Sequence, residues 1–147
     1  MSNTARRLTD HIQRLCETND IAIIVKPHAH ARAEKVRVKD GNGETRRRRG
    51  RRIVIQPVKG YVTYFIALHE LGHHLGEQPP RRLEQEVGAW RWALSNASVS
   101  PTRGVWKHIA RCLESYERRA LRWKNMQLPP EDHDYWRLLE TARVGGL

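Results

Sequence analysis

Residues 62–76 read VTYFIALHELGHHLG, and their apolar side chains recur with the period of an α-helix. An α-helix turns by about 100° per residue, so His69 and His73 lie about 40° apart and one turn from each other. Glu70 lies on the same side of this helix. The opposite face is apolar and carries Tyr64, Phe65, Leu68, Leu71 and Leu75. The stretch therefore predicts a helix that is anchored in a core and presents two imidazoles and a carboxylate on its other face.

The residues before this helix predict another helix and a small antiparallel sheet. The polarity pattern of residues 4–17 is typical of an amphipathic helix, and the β-branched run 21–25 is typical of a buried strand. Residues 31–39 alternate in polarity. The DGNG sequence of residues 40–43 then gives a strong hairpin-turn signal, because Gly and Asn tolerate positive φ. The returning strand of the hairpin is expected within residues 46–55.

Three further helices are expected after residue 76, each opened by a proline or a polar cap. They span residues 82–96 after the Pro79-Pro80 break, residues 100–125, and residues 129–142. The element order is then helix, small antiparallel sheet and helices, which predicts an α+β fold. A chain of 147 residues has room for one modest core, so we expect a single domain over residues 1–147.

Composition narrows the class of protein and its partners. Charged residues make up 29% of the chain and hydrophobic residues 39%, which excludes a disordered tail. No apolar run reaches the roughly 18–20 residues needed to cross a bilayer, and the N-terminal residues lack the apolar segment of a secretory signal. Cys16 and Cys112 are far apart, so two reduced thiols in a cytoplasmic protein are expected. The net charge of +11 favours an acidic partner.

Positive charge is concentrated in residues 46–52, where six of the seven side chains are arginine: Arg46, Arg47, Arg48, Arg49, Arg51 and Arg52. Strand alternation would place arginines of residues 46–49 on both faces, so this part cannot cover a core and should project as a basic hairpin arm. Such an arm would contact the phosphates of DNA or another polyanion, or dock an acidic protein. The alternative is a solvated turn that only keeps the protein soluble.

The pair His69 and His73 predicts a zinc site, because histidines four residues apart on a helix present two imidazoles to one ion. A catalytic zinc site needs a third protein ligand. The histidine-extended form of the motif would place that ligand at position 79, where this chain carries Pro79. The third ligand must then come from the next helix, and its candidates are Glu84 and Glu86.

Glu84 and Glu86 lie about 200° apart on a helix, so only one of them can face the metal. Glu86 shares its side with residues that should pack inward: Ala89, Trp90 and Ala93. A carboxylate on a packed face is costly unless it is compensated, and a zinc ion compensates it well. This favours Glu86 as the ligand and leaves Glu84 to form surface ion pairs with Arg81 or Arg82.

The quoted helix and the helix after it resemble a known family of enzymes. The sequences FIALHELGHHLG and RRLEQEVGAWRWAL are similar to gluzincin-type zinc metallopeptidases, most closely to the ImmA/IrrE type that phages and mobile elements often encode. In that type HELGH precedes a helix with the pattern Glu-x-x-Ala-x-x-aromatic-Ala, which also selects Glu86. The zincin domains of plasmid antirestriction proteins share a similar pattern. The chain departs at Trp90, where the ImmA/IrrE type usually carries Asn or Asp, so another group must orient the histidines.

The resemblance implies a zinc metalloendopeptidase that hydrolyses peptide bonds in a protein, such as a repressor or another DNA-associated regulator. His69, His73 and Glu86 would bind Zn2+, and Glu70 would act as general base on a water molecule. Strand residues 52–55 would form an edge that pairs with an extended substrate. One more side chain should stabilise the oxyanion, and the sequence does not choose among four candidates: Tyr61, His108, Tyr116 and His133.

A different class of function is compatible with the same residues. The chain would then be a nucleic-acid-binding or antirestriction module in which the zincin helix pair is only a scaffold. Glu70 favours the enzyme, because a structural metal site needs no general base. The arginine-rich segment fits both functions, since a peptidase that acts on DNA-associated proteins would also benefit from a polyanion contact.

Overall fold

Helices and one small sheet make up the computed structural model, which describes residues 1–38, 48–122 and 127–146. In chain order the elements are α1 (Asn3–Thr18), β1 (Ile21–Val25), β2 (Arg32–Val38), β3 (Arg48–Ile55), α2 (Tyr61–Leu75), α3 (Arg82–Asn96), α4 (Arg103–Arg122) and α5 (Asp134–Arg143). The expected α+β fold and its element order are confirmed. Within the described ranges, no helix is both long enough and apolar enough to span a membrane.

The sheet is mixed, with the strand order β1-β3-β2. β2 and β3 form the expected antiparallel hairpin, with Arg32 opposite Val54 and Val38 opposite Arg48. β1 pairs in parallel with β3, with Ile21 opposite Arg51, so the expectation of a wholly antiparallel sheet is wrong. The apolar end of β3, residues 53–55, is buried and takes the central position, whereas the polar β2 suits an edge. β1 therefore lies beside a strand that runs in its own direction.

The arginine-rich segment is only partly described. The turn expected at residues 40–43, together with Arg46 and Arg47, lies outside the described residues. Arg48 and Arg49 are the first residues of β3, and their backbones pair with β2, so the hairpin ladder extends into the arginine run.

Arg51 and Arg52, at the other end of that run, are held against the fold. Arg51 donates from Nη2 to the backbone carbonyl oxygen of Asn19, over 2.6 Å. Arg52 donates to the carboxylate of Glu34 on the neighbouring strand, with a distance of 2.9 Å from Nε to Oε2. Arg51 is therefore tied to the end of α1 and Arg52 to β2, rather than standing on an arm that projects from the sheet.

α2 is the central helix of the core. Its predicted apolar face is buried as expected, with Tyr64, Phe65, Leu68 and Leu71 at most 1% exposed, while Leu75 is partly buried. α1 contributes four buried side chains to the same core: Ala5, Leu8, Ile12 and Cys16. With one face fixed in this core, α2 holds its histidine-bearing face in a defined position towards β2, α3 and α4.

The close approach of α2 and α3 depends on a glycine. A Cβ atom at Gly72 would come within 2.5 Å of the backbone carbonyl oxygen of Ala89, which is closer than real Cβ contacts allow. Because Gly72 has no side chain, the two helices pack backbone to backbone at this point. Glu86 is one turn before Ala89 on α3, so the approach at Gly72 also determines how closely Glu86 reaches the histidines.

Candidate metal centre

Three side chains from α2 and α3 converge on one point. Nε2 of His69 lies 2.8 Å from Oε2 of Glu86, and Nε2 of His73 lies 3.1 Å from the same oxygen. His69 and Glu86 are each 6% exposed, and His73 is partly buried. The structure thus brings together the two histidines of the motif and the glutamate that the packing of α3 favoured.

Glu70 lies beside this cluster but contacts a different ring nitrogen of His69. Its Oε1 lies 3.2 Å from Nδ1 of His69, the ring nitrogen that does not face Glu86. Ligand atoms of His69, Glu70 and His73 also lie within 4.8 Å of one another. Both carboxylates are therefore near the histidines, but only the Glu86 oxygen has short contacts with Nε2 of both rings. We take Glu86 as the third candidate ligand and Glu70 as the neighbouring acid-base group.

The three groups fit a zinc ion in chemistry and in spacing. Zinc binds imidazole nitrogen and carboxylate oxygen at about 2.0–2.2 Å, and a tetrahedral arrangement then sets neighbouring ligand atoms about 3.4 Å apart. The separations from Glu86 Oε2 to the two Nε2 atoms, 2.8 and 3.1 Å, are only slightly shorter. Small side-chain rotations would open the cluster enough for an ion.

The electrostatics of the cluster also suit a cation. Burial lowers the pKa of His69, but hydrogen bonds that the protonated ring donates to Glu70 and Glu86 outweigh this effect and raise the pKa to about 9. Burial raises the pKa of Glu86, but His69 and His73 outweigh it and hold that pKa far below its usual range. The Glu86 carboxylate is thus a buried negative charge that needs a positive partner, either a protonated imidazole or a metal ion.

Trp90 helps to orient His69. The two rings are stacked, with centroids 4.1 Å apart and an interplanar angle of 25°, and Trp90 is 1% exposed. Trp90 is one turn after Glu86 on α3. The same helix therefore supplies the candidate ligand Glu86 and the ring that stacks on His69. The chain carries Trp90 where the ImmA/IrrE type usually carries Asn or Asp, so another group was expected to orient the histidines. The stacking of Trp90 and the contact between Glu70 and Nδ1 can orient His69 instead.

His74 and Glu84, two residues near the motif that were not favoured as ligands, lie outside the cluster. His74 is partly buried, and its Nε2 lies 2.9 Å from the backbone carbonyl oxygen of Arg52. It therefore ties α2 to β3, and burial lowers its pKa. Glu84 was expected to pair with Arg81 or Arg82. It lies instead 3.9 Å from Nε2 of His133, because its side of α3 faces the start of α5.

Two cavities open on the candidate site. The first, about 460 Å³, has His69, His73 and Glu86 on one wall and Ala33 and Lys35 of β2 on another. The second, about 360 Å³, reaches from His69 and Glu70 to the inner side of α4. The strand beside the first cavity is β2, an edge strand. The expectation that residues 52–55 form this edge is wrong, because β3 lies between β1 and β2.

Of the four candidates for an oxyanion donor, Tyr116 is the one that the structure places at both cavities. Burial and then the charge of Glu86 raise the pKa of Tyr116, so the hydroxyl group stays protonated. Tyr116 is partly buried and also packs against the hydrophobic core.

The other three candidates are less well placed. His108 borders only the second cavity, where its Nε2 lies 3.4 Å from the sulfur of Cys112. Tyr61 is at the start of α2 and 36% exposed. His133 is the N-cap of α5, where its Nδ1 accepts a hydrogen bond from the backbone N–H of Tyr135.

Comparisons of the chain with models of protein families, with curated proteins and with solved structures found no match. The assignment of a function to this chain therefore depends on the chemistry of its side chains and on their arrangement.

Proposed function

We propose that this chain is a zinc-dependent endopeptidase with His69, His73 and Glu86 as the metal ligands. The observation that supports this most strongly is the convergence of both Nε2 atoms on one buried oxygen of Glu86. When bound, zinc supplies a Lewis acid that polarises a peptide carbonyl and lowers the pKa of a water molecule. Three protein ligands are the number expected of a catalytic zinc site, because one coordination position must stay open for chemistry.

Glu70 is the general base in this proposal. It is next to a ligand in sequence, 6% exposed, and borders both cavities that open on the site. In this position its carboxylate can accept the proton of the attacking water and later donate it to the leaving amine. A structural zinc site needs no such group, and this favours the peptidase over a non-catalytic nucleic-acid-binding or antirestriction scaffold.

Tyr116 is the proposed donor to the oxyanion that develops on the substrate. Its protonated hydroxyl group borders the same cavity as the candidate ligands and Glu70. A donor that is already in place when negative charge develops lowers the barrier without a reorganisation of the site. In this proposal Tyr116 stabilises the negative charge on the oxyanion, and Glu70 transfers the proton.

The substrate is proposed to bind in an extended conformation along β2. An edge strand has unpaired backbone groups, and β2 is the edge that borders the cavity at the candidate site. A peptide that pairs with such an edge gains affinity from its backbone and makes limited demands on its sequence. Cys16 and Cys112 are both free thiols, which favours a cytoplasmic substrate such as a DNA-associated regulator.

The proposal is tested by adding the zinc-loaded chain to an extract of the cells that encode it. New protein N-termini are then identified by mass spectrometry, with the Glu70→Gln variant and a chelator-treated sample as controls. We expect new N-termini with the wild-type chain and none with either control. A wild-type chain that holds zinc and produces no N-termini beyond those of Glu70→Gln would contradict the proposal.

A further inference from the structure

The outer face of α4 carries a row of positive charges. Five exposed side chains form this row: Arg103, Lys107, Arg111, Arg118 and Arg122. At about 100° and 1.5 Å per residue, they fall within an arc of about 100° and extend over about 28 Å along the helix. The core face of α4 is separate and consists of Val105, Ile109, Ala110 and Leu113. We call the five residues the α4 basic row.

Part of this row lines a groove between α4 and the end of α5. The groove has a volume of about 560 Å³, and Arg103, Lys107, Arg111 and Arg143 all border it. The one carboxylate in its lining, Glu114, lies 2.9 Å from Nε of Arg143 and is neutralised by it. In the part of the chain that the structure describes, the three cations from α4 form no ion pair. The groove therefore keeps a net positive charge.

We propose that the α4 basic row binds the phosphate backbone of a nucleic acid duplex. Four of its five residues are arginines, whose planar guanidinium groups form paired hydrogen bonds with phosphate oxygens. Glu114 also falls within the arc, but it is paired with Arg143. A row of cations about 28 Å long suits a charged polymer better than it suits a small anion. A membrane surface fits less well, because membrane-binding helices insert their apolar face, and that face of α4 is buried in the core.

The row and the candidate active site use different faces of the same helix. His108, Cys112 and Tyr116 border the second cavity from the inner side of α4. Taking Arg103 as 0°, these three lie at about 140–220°, outside the arc of the basic row. A duplex bound to the row would therefore leave the cavities open. The inference depends only on the surface of α4, so it holds whether or not the chain is a peptidase.

The test measures binding of the full chain to a fluorescent 20-base-pair DNA duplex of mixed sequence, by anisotropy at several salt concentrations. The variant Arg103→Gln/Lys107→Gln/Arg111→Gln removes three charges from the row. The control Arg6→Gln/Arg7→Gln/Arg14→Gln removes three exposed charges from α1, so both variants change the net charge from +11 to +8. Each phosphate contact contributes about 0.9 to the slope of log affinity against log salt. We expect the α4 variant to lose about 3 units of slope, and the control to keep the wild-type slope.

Further ligands and a further variant distinguish the possible explanations. A duplex of RNA in place of DNA that binds with the same dependence on the row supports the shared phosphate chemistry. The variant Arg103→Lys/Arg111→Lys keeps the charges, so it should keep the wild-type salt slope while losing some affinity with the paired guanidinium hydrogen bonds. Wild-type urea unfolding of the Gln variant excludes a folding defect as the cause of its loss. Equal losses in the α1 and α4 variants would overturn the proposal. So would wild-type affinity in the α4 variant, or binding of the chain to anionic phospholipid vesicles but to neither duplex.

Discussion

Gly72 packs directly against the backbone of Ala89, so closely that a Cβ atom at residue 72 would lie 2.5 Å from the Ala89 carbonyl oxygen. Gly72 belongs to the HELGH motif but contributes no ligand. Its role is to let α2 and α3 approach until Glu86 lies 2.8 Å from His69. The glycine in this motif is thus required by packing, and the candidate metal site depends on it indirectly.

The variant Gly72→Ala should therefore damage both stability and zinc binding. The added methyl group has only backbone atoms of Ala89 before it, so the helices must separate, at a cost of about 1–3 kcal/mol. Urea denaturation measures the stability, and metal analysis measures the zinc. Gly88→Ala is the matched control, because its nearest atom would be at an ordinary 3.5 Å and alanine favours the helix. Wild-type stability and zinc content in Gly72→Ala would contradict this account.

The sequence predicted the arrangement of the side chains where a single helix determines the geometry. Helical spacing alone placed His69, Glu70 and His73 on one face, and the apolar residues on the opposite face are buried as expected. Glu86 could be chosen as the candidate third ligand because it lies on a side of α3 that was expected to pack inward. In each of these cases the local period of the helix decides which side chains meet.

The sequence predicted less where contacts join distant parts of the chain. The parallel pairing of β1 with β3 follows from which strand is buried most deeply, and that depends on the whole sheet. The stacking of Trp90 on His69 was missed, although its position one turn after Glu86 was a usable signal. The choice of Tyr116 over the other oxyanion candidates needed the packing of α4 against α2 and α3.

Replacing Glu70 with glutamine should abolish proteolysis and leave zinc in place. Glutamine is nearly isosteric but cannot accept the proton of a water molecule, so we expect a loss of about 10²–10⁴-fold in the rate of cleavage. The comparison uses a substrate identified from the new N-termini, and zinc is measured in the same preparations. A Glu70→Gln variant that cleaves at the wild-type rate would remove Glu70 as the base.

Tyr116→Phe should lower kcat by about 10²–10³-fold with little change in KM, because the lost hydrogen bond is needed only when charge develops on the oxyanion. The control is Tyr135→Phe, since Tyr135 is buried and donates to the carbonyl oxygen of Leu113, over 2.9 Å, away from the site. That control should lose about 1 kcal/mol of stability and keep its activity. If the two variants have the same kcat, Tyr116 has a structural role only.

The ion pair between Arg91 and Asp134 should give a small, pH-dependent contribution to stability. Arg91 donates to both carboxylate oxygens, over 2.6 and 2.7 Å, and these hydrogen bonds lower the pKa of Asp134. A carboxyl group with a lowered pKa in the folded state stabilises the fold at neutral pH, and this effect is lost as the pH falls through that pKa. Because the side chains are 43% and 41% exposed, we expect at most about 1 kcal/mol.

The measurement compares urea unfolding of the wild type and Asp134→Asn at pH 7 and in acid, below the ordinary pKa of aspartate. Asp134→Asn should be less stable than the wild type at pH 7. The difference between their free energies of unfolding should shrink towards zero in acid. Asp132→Asn, an exposed substitution two residues earlier, should match the wild type at both pH values. A difference for Asp134→Asn that grows in acid would contradict the assignment.

The most direct test of the central claim is the zinc content of purified Glu86→Ala beside that of Glu84→Ala and the wild type. If His69, His73 and Glu86 hold the metal, the wild type and Glu84→Ala should each contain about one zinc per chain, the number expected for a single site. Glu86→Ala should contain far less. Full zinc content in Glu86→Ala, with loss in Glu84→Ala, would contradict the proposed ligand set.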